Sequence, residues 1–585
     1  MKFLLAALNA KYIHSNPAVY SLKAYAGAKY APYIELGEYT INHSMESILS
    51  DIYKRRPDAI GFSCYIWNFS MVQELLPEIH KLLPDTEIWL GGPEVSFQCQ
   101  DILDAFPFVK GIMVGEGEET FLALLRYYLK EETCALEEIA GLALPGRAVT
   151  QRELVDLSKI PFLYAAGDGD GLQDFENRIV YYESSRGCPF RCSYCLSSID
   201  KQVRLRDLNL VQEELQFFLD HKVPQVKFID RTFNCNHAHA KAIWRYILEH
   251  DNGVTNFHFE VSADILDEEE LELLRQMRPG LVQLEIGVQT TNPDTLKEIR
   301  RYTNLNKLKQ VVARIHEGHN VHMHLDLIAG LPYEDYESFA RSFGDVYAMK
   351  PEQLQLGFLK VLKGSYMQER AESYGLCYLS RPPYEVLFTN WLSYEDVLRL
   401  KQVEEMVELY YNSNQFTHTL PLLEQLYDNP FYLYEDLAAY YETRGYFLKA
   451  PARSYRYQVL LAFACSVDPA REALYKESLT YDLYLRENAK SRPEFAADIT
   501  PYKSAFHAFF ANEERVRALL PDYEAYDWKQ ISKMTHLEWF SYPVWDVEAA
   551  GKCEPLEKEA KVLFDYQKRS PLTHEAAVHV ITDEE

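Results

Sequence analysis

The chain has 585 residues, 47% hydrophobic and 25% charged, with 87 acidic against 60 basic residues and a formal net charge of -27. That length predicts several domains with separate cores, and the negative balance disfavours a large nucleic-acid footprint because it repels a phosphate backbone. Ten cysteines without a regular framework suit a reducing compartment, and with no apolar run of membrane length and no leader-like start the expectation is a cytoplasmic protein without a membrane span.

Phe3–Leu8 reads as a short buried strand, and Val19–Tyr30, after Pro17, has apolar residues at helical spacing. A weaker strand at Ile34–Tyr39, an amphipathic stretch Met45–Arg55, a strand in "AIGFSCYI" (59–66) and a helix over Met71–Leu83 follow. "EIWLGG" (87–92) and "VKGIMVG" (109–115) predict two more strands, and Glu118–Leu129 a helix. Strands alternating with helices at this spacing predict a parallel sheet. Gly91, Gly92, Gly115 and Gly117 fall where strands end, at the edge where open parallel sheets bind ligands. "GGPEVSF" (91–97) and "VGEGEETF" (114–121) are therefore candidate binding loops or tight turns. Neither has the spacing of a dinucleotide or Walker motif.

Residues 136–177, with Pro145 and the "GDGDG" at 167–171, read as a linker and cap. A second alternating region spans 178–370, with strands expected at Val180–Ser184, Val226–Asp230, Asn256–Val261, Leu281–Gln289, His322–Ile328 and Gln355–Val361. Six strands with intervening helices predict a partial barrel or a wide α/β sheet. From 371 to 585 the pattern is mainly helical, with two or three strands in "HLEWFSYPVWDV" (536–547) and "AKVLFDYQKRSPLTHEAAVHVI" (560–581). Forty-two tyrosines, many beyond residue 370, read as amphipathic surface and interface packing. The fold class is thus α/β and multidomain, ending in a mostly helical domain.

The chemistry concentrates in "ESSRGCPFRCSYC" (183–195), where Cys188, Cys192 and Cys195 have the spacing C-x3-C-x2-C. Thiolates suit zinc and iron–sulfur clusters. Structural zinc takes four protein ligands, and Cys235, forty residues on, is the candidate that would complete such a set. Three thiolates on a four-iron cluster instead leave one iron open to a substrate or cofactor. The loop follows the first strand of an α/β region, where loops line active sites.

"CPFRCSYC", with Tyr194 before the last cysteine, resembles the signature of the radical S-adenosylmethionine enzymes. The resemblance implies that the three cysteines hold a 4Fe-4S cluster whose open iron chelates S-adenosylmethionine, and that an electron from the cluster yields the 5'-deoxyadenosyl radical. Strand-by-strand matching carries further candidates. "KFIDRTFN" (227–234) brings Asp230 and Arg231 to the cofactor, and "HFEVSAD" (258–264) brings Glu260 and Ser262. "QLEIGVQTTNPDTL" (283–296) brings Glu285 and Gln289, and Arg301 in "RRYT" is placed at the cofactor carboxylate. "HLDLIAGLPYED" (324–335) sets Ile328 and Gly330 against adenine, and "GFLKVLKGS" (357–365) is the sixth strand. The second strand departs from the family, with acidic and basic residues where a glycine-containing stretch is usual, which puts the amino-group contact in doubt.

The first 135 residues resemble the Rossmann-like cobalamin-binding (B12) domain that precedes the partial barrel in a subgroup of these enzymes. The matches are "GFSCYIWN" (61–68, with Ser63), "GGPEVSF" and "VGEGEETF". The resemblance implies that Gly91, Gly92, Glu94, Gly115, Glu116 and Gly117 line the path of the cobalamin tail. The Asp-x-His-x-x-Gly pattern of a lower imidazole ligand is missing; "NAKYIHSNP" offers His14 for cobalt, or as a loop histidine without a metal role.

The implied activity is methyl transfer to an unactivated carbon of a small-molecule or peptide substrate, with flavodoxin or ferredoxin as electron donor. A non-methylating rearrangement or cyclisation is the alternative within the subgroup. Two other classes are an RNA-modifying methylthiotransferase, which would need clustered front-domain cysteines where Cys64, Cys99 and Cys134 are scattered, and a non-enzymatic metal scaffold. The C-terminal region is expected to close the barrel's open side and shape the substrate pocket, with 454–458, His536, Trp539 and Trp545 as candidate lining. Replacing Cys188, Cys192 and Cys195 together should abolish iron loading and reductive cofactor cleavage; iron content equal to wild type would end the cluster assignment.

Overall fold

A computed structural model describes residues 1–131, 135–164, 172, 175–199 and 202–581, so Cys134 and the "GDGDG" stretch lie outside the described residues. Phe3–Asn9 (β1) is buried along its whole length, as a central parallel strand covered on both faces must be. Around it follow α1 (Pro17–Ala26), β2 (Ile34–Thr40), α2 (Met45–Arg55), β3 (Ala59–Ser63), α3 (Phe69–Leu82), β4 (Glu87–Gly91), α4 (Cys99–Ala105), β5 (Val109–Met113), α5 (Glu118–Tyr128) and β6 (Leu142–Ala143). The sheet order is β2-β1-β3-β4-β5-β6, parallel except for β6. That sixth strand comes from the stretch read as linker.

β3 stops short of the apolar run that predicted it. Asn68 accepts from the Tyr65 N–H at 2.8 Å and donates to the Leu8 and Ser63 carbonyls at 3.0 and 2.9 Å, which turns the chain. Apolarity alone does not register such a turn; the side-chain amide makes it.

The second sheet begins with β7 (Val180–Tyr182), followed by a two-stranded ribbon of β8 (Ser185–Arg186) and β9 (Arg204–Leu205). Then come α6 (Leu208–Asp220), β10 (Gln225–Phe228), α7 (His237–Glu249), β11 (Asn256–Val261), α8 (Glu268–Gln276), β12 (Val282–Gln289), α9 (Pro293–Glu298) and α10 (Leu305–His316). β13 (His322–Ala329), α11 (Tyr336–Tyr347) and β14 (Gln353–Phe358) complete it. All six long strands run parallel in the order β14-β13-β12-β11-β10-β7, an open partial barrel. Along β12 burial alternates residue by residue. Leu284, Ile286 and Val288 enter the helix-covered core, while Gln283, Glu285 and Gln289 stand on the other face, as the period of two requires. The barrel's inner face is therefore polar.

Beyond it come α12 (Tyr366–Glu369), the antiparallel pair β15 (Cys377–Tyr378) and β16 (Val386–Phe388), α13 (Tyr394–Met406), further helices to Met534, and a three-stranded antiparallel sheet of β17 (Thr535–Phe540), β18 (Ala560–Arg569) and β19 (Ala576–Ile581). The tyrosines read as surface and interface are in large part core: Tyr410, Tyr434, Tyr441, Tyr457, Tyr475 and Tyr484 are fully buried. Several satisfy their hydroxyls in pairs, as Tyr410 with Tyr441 at 2.6 Å and Tyr347 with Tyr434 at 2.9 Å, the arrangement a buried phenol needs.

This region covers the free edge of β14. Asn412 accepts from the Leu354 N–H and donates to its carbonyl, both at 2.9 Å, and 384–386 hydrogen-bonds along the chain just after β14. An uncovered edge strand would leave a row of unpaired backbone groups. Replacing Asn412 by alanine removes both bonds and should cost about 2 kcal/mol locally. Hydrogen exchange at the Leu354 amide should accelerate at least tenfold; unchanged protection would show that the cap does not hold the edge.

Candidate cofactor cavity

A cavity of about 890 Å³ lies between the carboxyl edge of the first sheet and the mouth of the barrel. Ser63, Gly91, Gly92, Gly115, Glu116 and Gly117 line it from the first sheet's loops. Gly187, Leu196, Ser197, Arg231 and Glu260 line it from the barrel, and His14 and Tyr181 meet at its wall. Two glycines are required where they stand. Gly92 has φ +106°, and a Cβ there would lie 2.4 Å from the Cys64 carbonyl oxygen; Gly187 has φ +100°, with the Gln202 carbonyl oxygen 2.2 Å from a Cβ. Both positions exclude any L side chain.

Cys188 and Cys192 are buried and Cys195 is half-buried. Backbone bonds at Ser193 tie their loop to two other segments: Ser193 N–H donates to the Ile299 carbonyl at 2.9 Å, and the Ser193 carbonyl accepts from Met367 N–H at 2.8 Å. Arg301 Nη1 stands 3.6 Å from Cys192 Sγ and 3.4 Å from the Tyr194 hydroxyl, while its Nη2 donates to the Gly287 carbonyl. Thiolates around one tetrahedral ion stand about 3.8 Å apart. Among the described residues, the group of three such side chains with ligand atoms mutually within 4.8 Å is His237, Asp267 and Glu270, and the three thiols do not form one. The His237 group has a structural explanation, since Asp267 and Glu270 form the capping box of α8. Cys235 follows β10 on a short turn, and burial, with Cys188 and Asp230 nearby, pushes its thiol up to about 11.

Further into the barrel, Glu285 accepts from Lys227 and lies at the same 3.1 Å from His258 Nε2. Burial would raise its carboxyl, but these two partners hold it down to about 2. Glu260 makes no hydrogen bond or ion pair among the described residues, and burial together with Glu285 pushes it up to about 6. Gln289 Oε1 and Arg301 Nε are buried polar atoms without a hydrogen-bond partner, and Asp326 Oδ1, also without a hydrogen bond, lies 3.2 Å from His324 Nε2. Such atoms are costly unless something binds there. Asp326, held well above the usual carboxylate range by burial and then by Glu285 and Glu260, is a residue the sequence reading missed. Its signal was available, because Asp326 precedes Ile328 by two on β13 and so shares its face.

Other expected residues are engaged elsewhere. Asp230 is fully buried and accepts from Ser184 N–H at 2.9 Å and from the Ser184 and Ser185 hydroxyls at 2.7 and 2.5 Å. Burial pushes it up to about 7 against those donors; it braces the strand end that precedes the cysteine loop. Ser262 donates to Asp264 at 2.8 Å. Ile328 packs at the edge of an apolar cluster, and Gly330 lies against Val386. His14 Nδ1 lies 2.5 Å from the Tyr181 hydroxyl, which commits that ring nitrogen to the barrel's first strand. Glu94 is buried, bonded by the Tyr384 hydroxyl and 3.1 Å from Lys363 Nζ, and is not among the lining residues.

Glu116 lines the cavity, yet its carboxylate serves the domain boundary. Arg204 and Val155 N–H donate to it, and Arg186 lies 3.2 Å away while also reaching Glu118 at 2.9 Å and Glu183 at 2.8 Å. Burial would raise the Glu116 carboxyl, and these partners hold it below its usual range. Nothing in the sequence pairs residues seventy or ninety positions apart, so this contact was not legible. The C-terminal candidates also fall elsewhere. His536 stacks on Tyr484, Trp539 on Tyr502, Tyr457 packs on Phe416 and Trp545 against the buried core. The described residues lining this cavity run from Leu5 to Glu260 and include none of these, which leaves them with the structural role that was the alternative to pocket lining. Their rings fill their own domain's packing.

Comparisons with known proteins divide the chain in the same way. The description "B12 binding domain" matches residues 4–125, "Radical SAM superfamily" residues 182–346, and "Protein of unknown function (DUF4080)" residues 372–564. The cobalamin-dependent radical SAM methyltransferase TokK of Streptomyces tokunonensis is 27% identical over 357 residues, 56% of this chain and 51% of that protein. The chain thus spans about half the length of the curated relatives it matches. Among solved structures, the cobalamin-dependent S-adenosylmethionine radical enzyme OxsB with aqua-cobalamin and S-adenosylmethionine bound superposes with a TM-score of 0.53 at 14% identity, over 89% of this chain and 80% of that one. The radical S-adenosylmethionine methyltransferase TsrM of Kitasatospora setae, solved with cobalamin and a [4Fe-4S] cluster, gives 0.52 at 18% identity over 65% and 76%.

Arg186 to alanine would leave three carboxylates facing one remaining arginine and should cost roughly 3 kcal/mol of stability at neutral pH. Because the Glu116 carboxyl is depressed in the fold, its contribution is present above the usual carboxylate range and lost as pH falls through and below it. The deficit of the variant, measured by denaturant unfolding, should therefore hold from pH 7 to about pH 5 and shrink as pH falls further towards about pH 3. A deficit independent of pH would mean that charge is not what joins the domains.

Proposed function

We propose that this chain, a member of the cobalamin-binding radical S-adenosylmethionine family, methylates an unactivated carbon of a small-molecule or peptide substrate in the cytoplasm. The observation that carries the reading is one cavity bounded both by the glycine loops of the cobalamin-binding domain and by the two ends of the cysteine loop. A group held by one domain would face a group held by the other across this shared cavity.

The residues present fit the cofactors. Cys188, Cys192 and Cys195 would hold the 4Fe-4S cluster and leave one iron without a protein ligand. Arg301, with its Nε unpartnered, offers a donor for the S-adenosylmethionine carboxylate. Gln289 and Asp326 offer acceptors to hydroxyl groups, on neighbouring strands β12 and β13. Ser63, Gly91, Gly92, Gly115 and Gly117 leave backbone free of bulk for the cobalamin tail. His14, bonded to Tyr181, is assigned to the wall and not to cobalt. When bound, the three cofactors supply a 5'-deoxyadenosyl radical and a transferable methyl group. The protein's part is to hold these groups facing one another and to exclude water and stray hydrogen donors.

Anaerobic reconstitution with iron, sulfide and hydroxocobalamin should give about four irons and one corrinoid per chain. With reductant and S-adenosylmethionine, mass spectrometry should find 5'-deoxyadenosine and, once substrate is supplied, S-adenosylhomocysteine. Deoxyadenosine without the homocysteine product would reject methyl transfer in favour of rearrangement or cyclisation; failure to retain corrinoid would remove the front-domain role.

A further inference from the structure

The cofactor seats leave two opposite charges of the cavity wall unused. We propose that Arg231 and Glu260 seat a zwitterionic substrate of the free α-amino-acid type, Glu260 taking its ammonium group and Arg231 its carboxylate. The inference deepens the methyl-transfer reading above and rests on it.

Arg231 lies three residues beyond the end of β10, and Glu260 stands on β11, the neighbouring strand. Both line the cavity from the barrel side. Arg231 is exposed and Glu260 half-buried, and neither makes a hydrogen bond or ion pair among the described residues. Burial raises the Glu260 carboxyl to about 6, with Arg231 pulling the other way. The other charged groups that act on Glu260 are Glu285 and Lys227, and those two pair with each other at 3.1 Å. The acids nearest Arg231 along the chain and across the strand are also engaged. Asp230 accepts from Ser184 and Ser185, and Glu183 is paired with Arg186 at 2.8 Å. Glu260 is thus left without a cation of its own, and Arg231 without an anion. A carboxylate partly withdrawn from water with no donor is costly, and an ammonium group brings three donors.

Two observations separate this pair from the S-adenosylmethionine seat. Arg301, Gln289 and Asp326, assigned to that cofactor, are not among the residues lining the cavity, whereas Arg231 and Glu260 are. The pair therefore faces the cobalamin-binding domain, where Tyr65 and Trp67 line the same cavity with their rings stacked 4.3 Å apart. A substrate must lie there to meet a group from each domain. Arg231 also sits on the stretch that departs from the family at the amino-group contact. A guanidinium repels an ammonium, so it does not replace that contact; its fork fits a carboxylate. Binding sites orient their ligands by a few convergent polar groups. One charge of each sign, unpaired, is met in full by a zwitterion and only half met by an acid or an amine.

The test uses the full chain reconstituted with iron, sulfide and hydroxocobalamin, with S-adenosylmethionine and no reductant, dialysed to equilibrium against a radiolabelled mixture of the common amino acids. At least one should be retained with a dissociation constant below roughly 1 mM. Its N-acetyl and carboxamide derivatives should each bind about tenfold more weakly or worse. Glu260→Gln should weaken the parent amino acid by a similar factor and erase the discrimination against the N-acetyl form, and Arg231→Gln should do the same for the carboxamide. Affinity for S-adenosylmethionine by titration calorimetry and corrinoid content by absorbance should both stay within about twofold. Retention of no amino acid by a chain that holds both cofactors overturns the proposal and leaves the methyl-transfer reading standing. Variants that bind the amino acid as wild type does overturn it too, as do variants that lose S-adenosylmethionine instead, which would return the pair to the cofactor. If neither variant accumulates, the wild-type chain decides: blocked and free forms binding equally overturns the proposal. A chain that shows the expected amino-acid pattern but retains no corrinoid would remove the methyl-transfer reading and keep the seat.

Discussion

Two parallel sheets that turn their carboxyl edges toward each other expose polar loops on both sides of the gap, and something must hold the gap at one width. Here that is the charge pairing at the domain boundary. Arg186 and Arg204, on the ribbon after β7, meet Glu116 and Glu118 from the loop and helix after β5. A second contact lies at Glu94, Lys363 and Tyr384, and a third at Arg178 and Glu38, 2.5 Å apart. Partly buried charges of this kind are strongly coupled and cannot slide without losing partners. The cavity's dimensions follow from them.

The same residues that clamp the domains also form the wall of the site. Glu116 touches the cavity and the clamp at once, and Gly187 couples the ribbon to the cysteine loop. Chemistry and architecture are therefore not separable along the chain here: disturbing the boundary changes the distance between the two cofactor seats. The C-terminal region joins the boundary through Tyr384, which bonds Glu94, and otherwise acts at a remove. It covers the β14 edge, and the β18–β19 hairpin reaches the turn at Gly280, so it stabilises the barrel without reaching the lining of the cavity.

Much of the plan could be read from residues in order. The element sequence of both α/β regions follows from apolar periodicity, which is a local property. The C-x3-C-x2-C loop is legible because its three thiols come from eight consecutive positions. The site around it is less so. Asp230 and Glu94 were expected as cofactor contacts because "KFIDRTFN" and "GGPEVSF" resemble stretches of the family, and the fold aims one at Ser184 and Ser185 and the other at Lys363 and Tyr384. Asp326 went unnoticed because an acidic residue in a strand has no local mark of facing the barrel's interior. The tyrosines misled in the same way, since composition does not say which rings find a hydroxyl partner in the core.

By itself the sequence determined the order of domains, the alternating elements and the thiol triad, since each depends on spacing within a few residues. The tertiary structure alone decided which charges face each other across seventy to ninety positions, which buried atoms remain without a partner, and where the C-terminal region packs. Those outcomes depend on how whole elements meet, and a linear pattern holds no record of that meeting.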